Sequence, residues 1–217
     1  MLLHYAPALT PYLSFLYQDN DILIINKPNG LLTVPGKAPE HYDSAITRVN
    51  KVYPEARIVH RLDMATSGIL CIAMHKAAHR HLSMQFQDRN TEKRYVARVF
   101  GHLQETTGSV SQPLICDWPN RPKQKICYDN GKPSLTHWQV LAHEDNATRV
   151  ALTPVTGRSH QLRVHMQYLG HPILGDKFYA HEQALCAAPR LQLHAEMLKI
   201  SHPQTGEMME FHCPAPF

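Results

Sequence analysis

The stretch HRLDMATSGILCIAMHKAAHRHLSMQFQDR, residues 60 to 89, decides the fold. It opens on turn-forming polar residues. Ile69–Met74 then forms a short apolar run of strand length, and His75–Arg89 places Ala78, Leu82 and Phe86 at the i, i+4, i+8 spacing of an amphipathic helix. On the C-terminal side, Tyr95–Phe100 alternates apolar and polar residues and resumes a sheet. On the N-terminal side, Ser14–Tyr17 and Ile22–Asn26 flank the turn-rich Gln18-Asp19-Asn20-Asp21. That pattern predicts a β-hairpin, stopped by Pro28-Asn29-Gly30. Between hairpin and loop, Asp43 or Ser44 caps a helix through about Tyr53, with Ile46, Val49 and Val52 on one face and Pro54 ending it. Further strands are expected near 109–115, 135–142, 148–153, 191–200 and 207–212. One helix stands among them, Ser159–Leu169, capped by Ser159 and closed by Gly170. Runs of strands with few helices predict an α+β fold, a largely antiparallel mixed sheet flanked by helices and loops. No repeat, low-complexity tract or linker demands a second domain, so residues 1–217 are expected to form one.

Composition narrows the function. In 217 residues, 22 Lys and Arg stand against 18 Asp and Glu, a formal charge of +4, and 43% are hydrophobic. A chain of this length buries roughly 70% of its unfolded surface, so it needs neither metal nor disulfide staples, and a disordered tail is excluded. The longest aliphatic run is Ile22–Ile25, far short of the about 20 apolar residues of a membrane helix. The N-terminus lacks the basic n-region of a signal peptide, and Pro7 and Pro11 interrupt it, so a cytoplasmic location is expected. Five scattered cysteines without a C-x-x-C pair read as reduced thiols, not as a zinc ribbon or redox motif. The pI near 8.8 permits a polyanionic partner without requiring one.

Five constellations carry chemical potential. In His60-Arg61-Leu62-Asp63-Met64-Ala65-Thr66-Ser67-Gly68, a carboxylate follows a cation and precedes two hydroxyls and a glycine in a loop. Arg61 and nearby N–H donors would keep Asp63 ionised as nucleophile or base; the same residues also suit a structural ion pair. In GRSHQLRVH, residues 157 to 165, Arg158 and Arg163 stand at a helix start whose free N–H groups favour an anion, the alternative being a solvated basic face. Lys93-Arg94-Tyr95-Val96-Ala97-Arg98 mixes cations with an aromatic, and Tyr95 either stacks on a base or is simply a strand aromatic. CDWPNRPKQK, residues 116 to 125, is a stiff loop carrying Arg121, Lys123 and Lys125, suited to a nucleic-acid backbone or merely solvated. Finally, His75, His79 and His81 share a helix. No glutamate stands between the first two, and His81 leaves their face, so no metal is expected there.

Taken together these segments resemble the RluA family of pseudouridine synthases. HRLDMATSG is similar to the family's H-R-L-D-x-x-T-S-G signature, KRY to its lysine–x–tyrosine strand, and GRSHQLRVH to its G-R-x-H-Q-[IL]-R helix start. NKPNGLLTVPG and LQLHA also fit, so the likeness spans about residues 13 to 215. It leaves no room for the N-terminal S4-like RNA-binding domain of longer members, and none is expected. CDWPNRPKQK and HPILGDKFYA are similar to a short member that acts on both tRNA and 23S rRNA.

The resemblance implies that Asp63 is the catalytic aspartate, Tyr95 the tyrosine stacked on the target base, and Arg163 the arginine paired with the aspartate. The reaction breaks the N1–C1′ bond of uridine, turns the uracil and makes a C5–C1′ bond in a closed pocket. An ionised Asp63 would attack C1′, attack the base or take the 2′ proton, and all three routes stay open. No cofactor, group donor or metal is implied. The uridine must be flipped out of its stack, with Arg61 as the side chain that fills the gap or, equally, as a plain ion-pair partner. Lys27, His60, Arg158, His160, Arg121, Lys123 and Lys125 are expected to contact RNA, mostly at phosphates. The expected partners are a tRNA anticodon stem-loop and a 23S rRNA hairpin, with no DNA and no membrane, and the chain is expected to act as a monomer. A non-catalytic RNA-binding protein on the same scaffold is disfavoured because all three catalytic positions hold the required residue types. A metal-dependent hydrolase built on the histidines lacks a carboxylate at ligand spacing.

Overall fold

The structure, a computed structural model, describes residues 5–217. In chain order its strands and helices are β1 (Ser14–Gln18), β2 (Ile22–Lys27), α1 (Ala45–Asn50), β3 (Arg57–Ile58), β4 (Ser67–Ala73), α2 (Lys76–Asp88) and β5 (Glu92–Phe100). There follow β6 (Thr107–Ser111), β7 (Leu114–Cys116), β8 (Gln124–Ile126), β9 (Leu135–Glu144), β10 (Ala147–Pro154), α3 (Gln161–Tyr168), α4 (Glu182–Cys186), β11 (Leu193–Ser201) and β12 (Met208–His212). The fold is α+β, with mostly antiparallel strand pairs, as the sequence predicts. The described residues gather into two compact units, residues 5–93 with 194–216 and residues 94–193 with 217.

In the first unit β1 and β2 form the expected hairpin, and β2 runs antiparallel to β4 from Ile22↔Ala73 to Lys27↔Gly68. The other edge of β4 takes the two-residue β3 at Ile72 and Ala73, and β11 in parallel register at Ser67 and Gly68. Every residue of β4 is buried because both faces are covered, which explains its unbroken apolar run. One face packs Ile22, Ile24, Ile69 and Cys71 under Ala78 and Leu82 of α2, the stripe that periodicity identified. Ser44 caps α1, sharing a reciprocal capping box with Thr47. The helix is shorter than expected, ending at Asn50, since Val52 and Tyr53 both turn back onto the Val49 carbonyl.

In the second unit the antiparallel order is β5-β10-β9-β6, with β7 and β8 as a separate two-stranded ribbon. The single strand expected near 109–115 is two strands, broken at Gln112-Pro113, where proline cannot donate to a ladder. The helix expected from Ser159 starts two residues later. Its N-cap is His160, held in the left-handed region at φ 53, and no side chain caps it. Gly170 closes it as expected: at φ 83 its N–H meets the Gln167 carbonyl while the His171 N–H meets that of Met166, a Schellman closure. The short α4 escaped the sequence reading because five residues carry too little periodicity, and its cap is a histidine, His181, whose Nδ1 accepts from the Ala184 N–H.

Candidate active site

Asp63 lies in the loop between β3 and β4, and the segment after β2 clamps that loop residue by residue. The buried Thr33 hydroxyl donates to the Leu62 carbonyl (2.8 Å) and accepts from the Leu62 N–H (3.3 Å). The Met64 carbonyl accepts from the Gly30 N–H (2.9 Å) and from Lys27 Nζ (3.2 Å), and the Asn29 side-chain amide donates to the Ala65 carbonyl. Gly30 adopts φ 84, so glycine fits a turn that aims its N–H at the loop. The Thr66 N–H closes the loop on the Asp63 carbonyl (3.0 Å). NKPNGLLT and HRLDMATS are therefore two halves of one construction, with Asp63 half-buried at its centre.

Two expected RNA contacts are corrected by burial. Lys27 has no exposed surface, and its ammonium donates to the carbonyls of Pro28 (3.0 Å), Leu31 (2.8 Å) and Met64 (3.2 Å). All three donor positions are filled from within, so none is left for a phosphate. Burial pushes its pKa down to about 7, against the opposing pull of the Asp63 carboxylate. His60 stacks on Phe86 at 4.5 Å, and its Nε2 accepts the Cys71 N–H at 2.9 Å. Burial holds its pKa down to about 3, so it is a neutral scaffold group and not a cation. Arg61, between half-buried His60 and buried Leu62, is exposed.

Ser67 and Gly68 belong to β4 and not to a loop. The Ser67 hydroxyl meets Nδ1 of the buried His194 (2.8 Å), whose Nε2 faces the Cys213 carbonyl (3.0 Å). A carbonyl only accepts, so Nε2 carries the proton and the serine donates. A Cβ on Gly68 would fall 2.3 Å from the Ala195 carbonyl oxygen, so only glycine lets β11 pass so close.

In the second unit Tyr95 is half-buried on β5 opposite Leu152. Arg163, buried in α3, directs Nε to Asp176 Oδ2 (2.7 Å) and a terminal nitrogen to Oδ1 (2.6 Å), a bidentate pair between the rings of Phe178 and Tyr179. Asp176 also accepts the N–H groups of Phe178 and Tyr179. The sequence reading missed this partner, although HPILGDKFYA contains it. Within GRSHQLRVH, Gln161 and His165 are scaffold. Gln161 accepts from the Thr156 hydroxyl and Arg158 N–H and donates to the Leu135 carbonyl and Thr136 hydroxyl, while the buried His165 faces Thr136, Ser134 and the Gln112 carbonyl. Arg158 sends Nε to the Pro133 carbonyl (3.3 Å), so its guanidinium and that of Arg163 serve different partners. His160 Nδ1 lies 2.7 Å from the Tyr179 hydroxyl, which also accepts the Gln124 N–H of β8.

The CDWPNRPKQK stretch turns between β7 and β8 through a short 3-10 helix, Trp118–Asn120. Arg121 is exposed and stacks over the exposed Trp118 at 4.7 Å. Lys125 is exposed 3.6 Å from Asp117, and Lys123 is half-buried. The three cations thus sit at the end of the β7–β8 ribbon.

The histidines on α2 have separate duties: His75 caps the helix, His79 meets the Ile58 carbonyl, and His81 meets Gln85. Among the described residues, Asp19, Asp21 and His202 lie close enough to share an ion. His202 Nδ1 accepts the N–H groups of Gln204 and Thr205, so Nε2 bears the proton toward Asp19 (3.1 Å) and is no ligand.

A clamped loop presenting one carboxylate, on this α+β scaffold, matches the family of RNA pseudouridylate synthases, whose model covers residues 21–168. The chain is 58% identical over 215 residues to the dual-specificity RNA pseudouridine synthase RluA of Escherichia coli (strain K12), covering 99% of this chain and 98% of that one. It is 54% identical over 217 residues to the protein of the same name from Pasteurella multocida (strain Pm70), covering 100% and 99%. The solved structure of human RNA pseudouridylate synthase domain containing 1 superposes with a TM-score of 0.82 at 33% identity, covering 98% of this chain and 87% of that one. The chain belongs to the RluA family and is a pseudouridine synthase, an isomerase that modifies RNA.

Proposed function

We propose that the chain isomerises uridines in two kinds of stem-loop, a tRNA anticodon arm and a hairpin of 23S rRNA, with Asp63 as the reacting group. The relatives' description as dual-specificity enzymes supports two substrates. The observation that carries the role of Asp63 is its place in a loop pinned by Thr33, Asn29, Gly30 and Lys27, which holds one carboxylate steady above a buried cation. A carboxylate so placed can act as nucleophile at C1′, as nucleophile at the base, or as base at the 2′ position, each without a cofactor or metal. In this reading Tyr95 supports the flipped uracil, and Arg163, oriented by Asp176, serves the reaction as a fixed cation. Arg61 fills the space the base leaves, while Arg121, Lys123, Lys125 and Arg158 contribute phosphate contacts. His160 acts from behind this surface, fixing the start of α3.

The two units are read as one catalytic domain, working as a monomer in the cytoplasm on RNA and not on DNA. The test is Asp63→Asn, which is nearly isosteric. Single-turnover isomerisation should vanish while RNA affinity stays equal or rises through lost charge repulsion. Turnover within about tenfold of wild type, one 1.4 kcal/mol step in the barrier, would remove Asp63 from the reaction.

A further inference from the structure

The two tryptophans of the second unit are treated oppositely. Trp138 is buried, so close over Gly108 that a Cβ there would fall 2.5 Å from its ring, whereas Trp118 is 65% exposed on the turn between β7 and β8. Tryptophan is on average well buried, and an indole left in water forgoes hydrophobic stabilisation. The turn nonetheless holds the ring out. The Asp117 N–H donates to the Lys123 carbonyl (2.9 Å), the Asn120 N–H to the Asp117 carbonyl (2.9 Å), and the Lys123 N–H to the Asn120 carbonyl (3.0 Å). The Asn120 side-chain amide adds a bond to the Asp117 carboxylate (2.8 Å), and Pro119 and Pro122 restrict two φ angles. Arg121 lies over the indole at 4.7 Å, a cation–π contact that leaves most of the ring surface open. Among the described residues neither Arg121 nor Lys123 pairs with a carboxylate, and Lys125 stands 3.6 Å from Asp117.

Resting on the reading of this ribbon as an RNA contact, we infer that Trp118 is a base-stacking site, which receives one unpaired base of the substrate loop other than the uridine at Asp63. Cations beside an open aromatic face match the chemistry of single-stranded RNA, whose phosphates meet the cations while a base lies on the ring. Every base has a π-face, so the site selects for a base that is free of its own stack at that place in the loop, and not for its identity. Loops of different sequence then satisfy it equally, as two stem-loop substrates require. Stacking also leaves a signature that the neighbouring cations do not. A phosphate contact releases counterions and steepens the fall of affinity with salt, whereas a stacked base adds affinity without changing that slope.

The experiment titrates the full chain with a tRNA transcript and with a 23S rRNA hairpin over a range of salt, recording tryptophan emission and affinity together. Wild type, Trp118→Ala, Trp118→Phe and the triple change of Arg121, Lys123 and Lys125 to alanine are compared. Trp118→Ala should bind both RNAs about 10- to 100-fold less tightly with the salt slope of wild type, and Trp118→Phe, which keeps an aromatic face, should recover most of the loss. RNA should quench the emission of wild type and leave that of Trp118→Ala, which comes from the buried Trp138, unchanged. Trp118→Ala binding as tightly as wild type, or wild-type emission indifferent to RNA, would overturn the inference. So would a Trp118→Ala whose loss comes with a flattened slope, since the ring would then only support Arg121. The reading of the ribbon fails separately, when the triple variant keeps the wild-type slope. The quenching of wild type needs no variant, so the inference is tested even if a substitution disturbs the fold.

Discussion

Asp63 and Lys27 differ in how they were found. Asp63 was legible because its neighbours form a long motif, whereas Lys27 stands in NKPNG as one more basic residue. Nothing local distinguishes a lysine that meets phosphate from one whose ammonium is consumed by three carbonyls; only burial does. The same holds for His60, which reads as a cation beside Arg61 and is in fact an acceptor for the Cys71 N–H. Tyr95 remains the residue where substitution discriminates most finely. If the ring mainly supports the base, Tyr95→Phe should bind and react nearly as wild type and Tyr95→Leu should bind worse, by the about 1–3 kcal/mol of a base–aromatic stack. If the hydroxyl removes the C5 proton, Phe should already stop after glycosidic cleavage, leaving an altered uridine visible in nucleoside digests. Full activity of both variants would make Tyr95 a strand aromatic only.

At the scale of elements, strong periodicity was read correctly: the β1–β2 hairpin, β4, α2 and the Gly170 closure of α3 all lie where apolar spacing and turn residues put them. Errors fall where a side chain from elsewhere in the chain overrides a local preference. Ser159 is a good cap by type, yet α3 starts at Gln161 because the Gln161 carboxamide takes the Arg158 N–H and the Thr156 hydroxyl, while Tyr179 engages His160. The stretch holding β8 reads as a loop because a three-residue strand carries no period. Changing Arg121, Lys123 and Lys125 together to alanine should lower the slope of log affinity against log salt by about 2, the value for three lost contacts to single-stranded phosphates. The rate on bound RNA should stay unchanged. An unaltered slope in filter-binding titrations would place the phosphate contacts elsewhere.

For the whole molecule, two expectations concern conditions and substrate. His60 and His165 are neutral in the fold because burial depresses their pKa, to about 3 for His60. Their unfolded forms protonate near 6.5, so below that pH the unfolded chain binds the extra proton, and stability present above pH 6.5 is lost as pH falls toward 3. For His60 the loss should be of order 1 kcal/mol per pH unit. Urea midpoints at pH 7.5 and 5.5 measure it, and His60→Gln, which keeps an acceptor but cannot titrate, should shrink the difference. On the substrate side, a ribbon with three cations and a single clamped loop suit local recognition of a flipped loop more than an extended grip on folded RNA. An isolated anticodon stem-loop should be modified nearly as fast as whole tRNA in a tritium-release assay. An inert stem-loop beside reactive tRNA would mean that distant tertiary contacts do the selecting.

The sequence by itself determined the family, the α+β class, the β1–β2 hairpin and the course of α2, because these rest on residue order, short-range periodicity and turn chemistry, all local properties. Tertiary structure alone decided which charges meet solvent and which are spent inside: Lys27 beneath the loop, His60 against Phe86, and Arg163 on Asp176. The cost of burying a polar group depends on the partners that residues distant in sequence bring to it, and it is these partners that turned two expected RNA contacts, Lys27 and His60, into part of the frame that holds the loop.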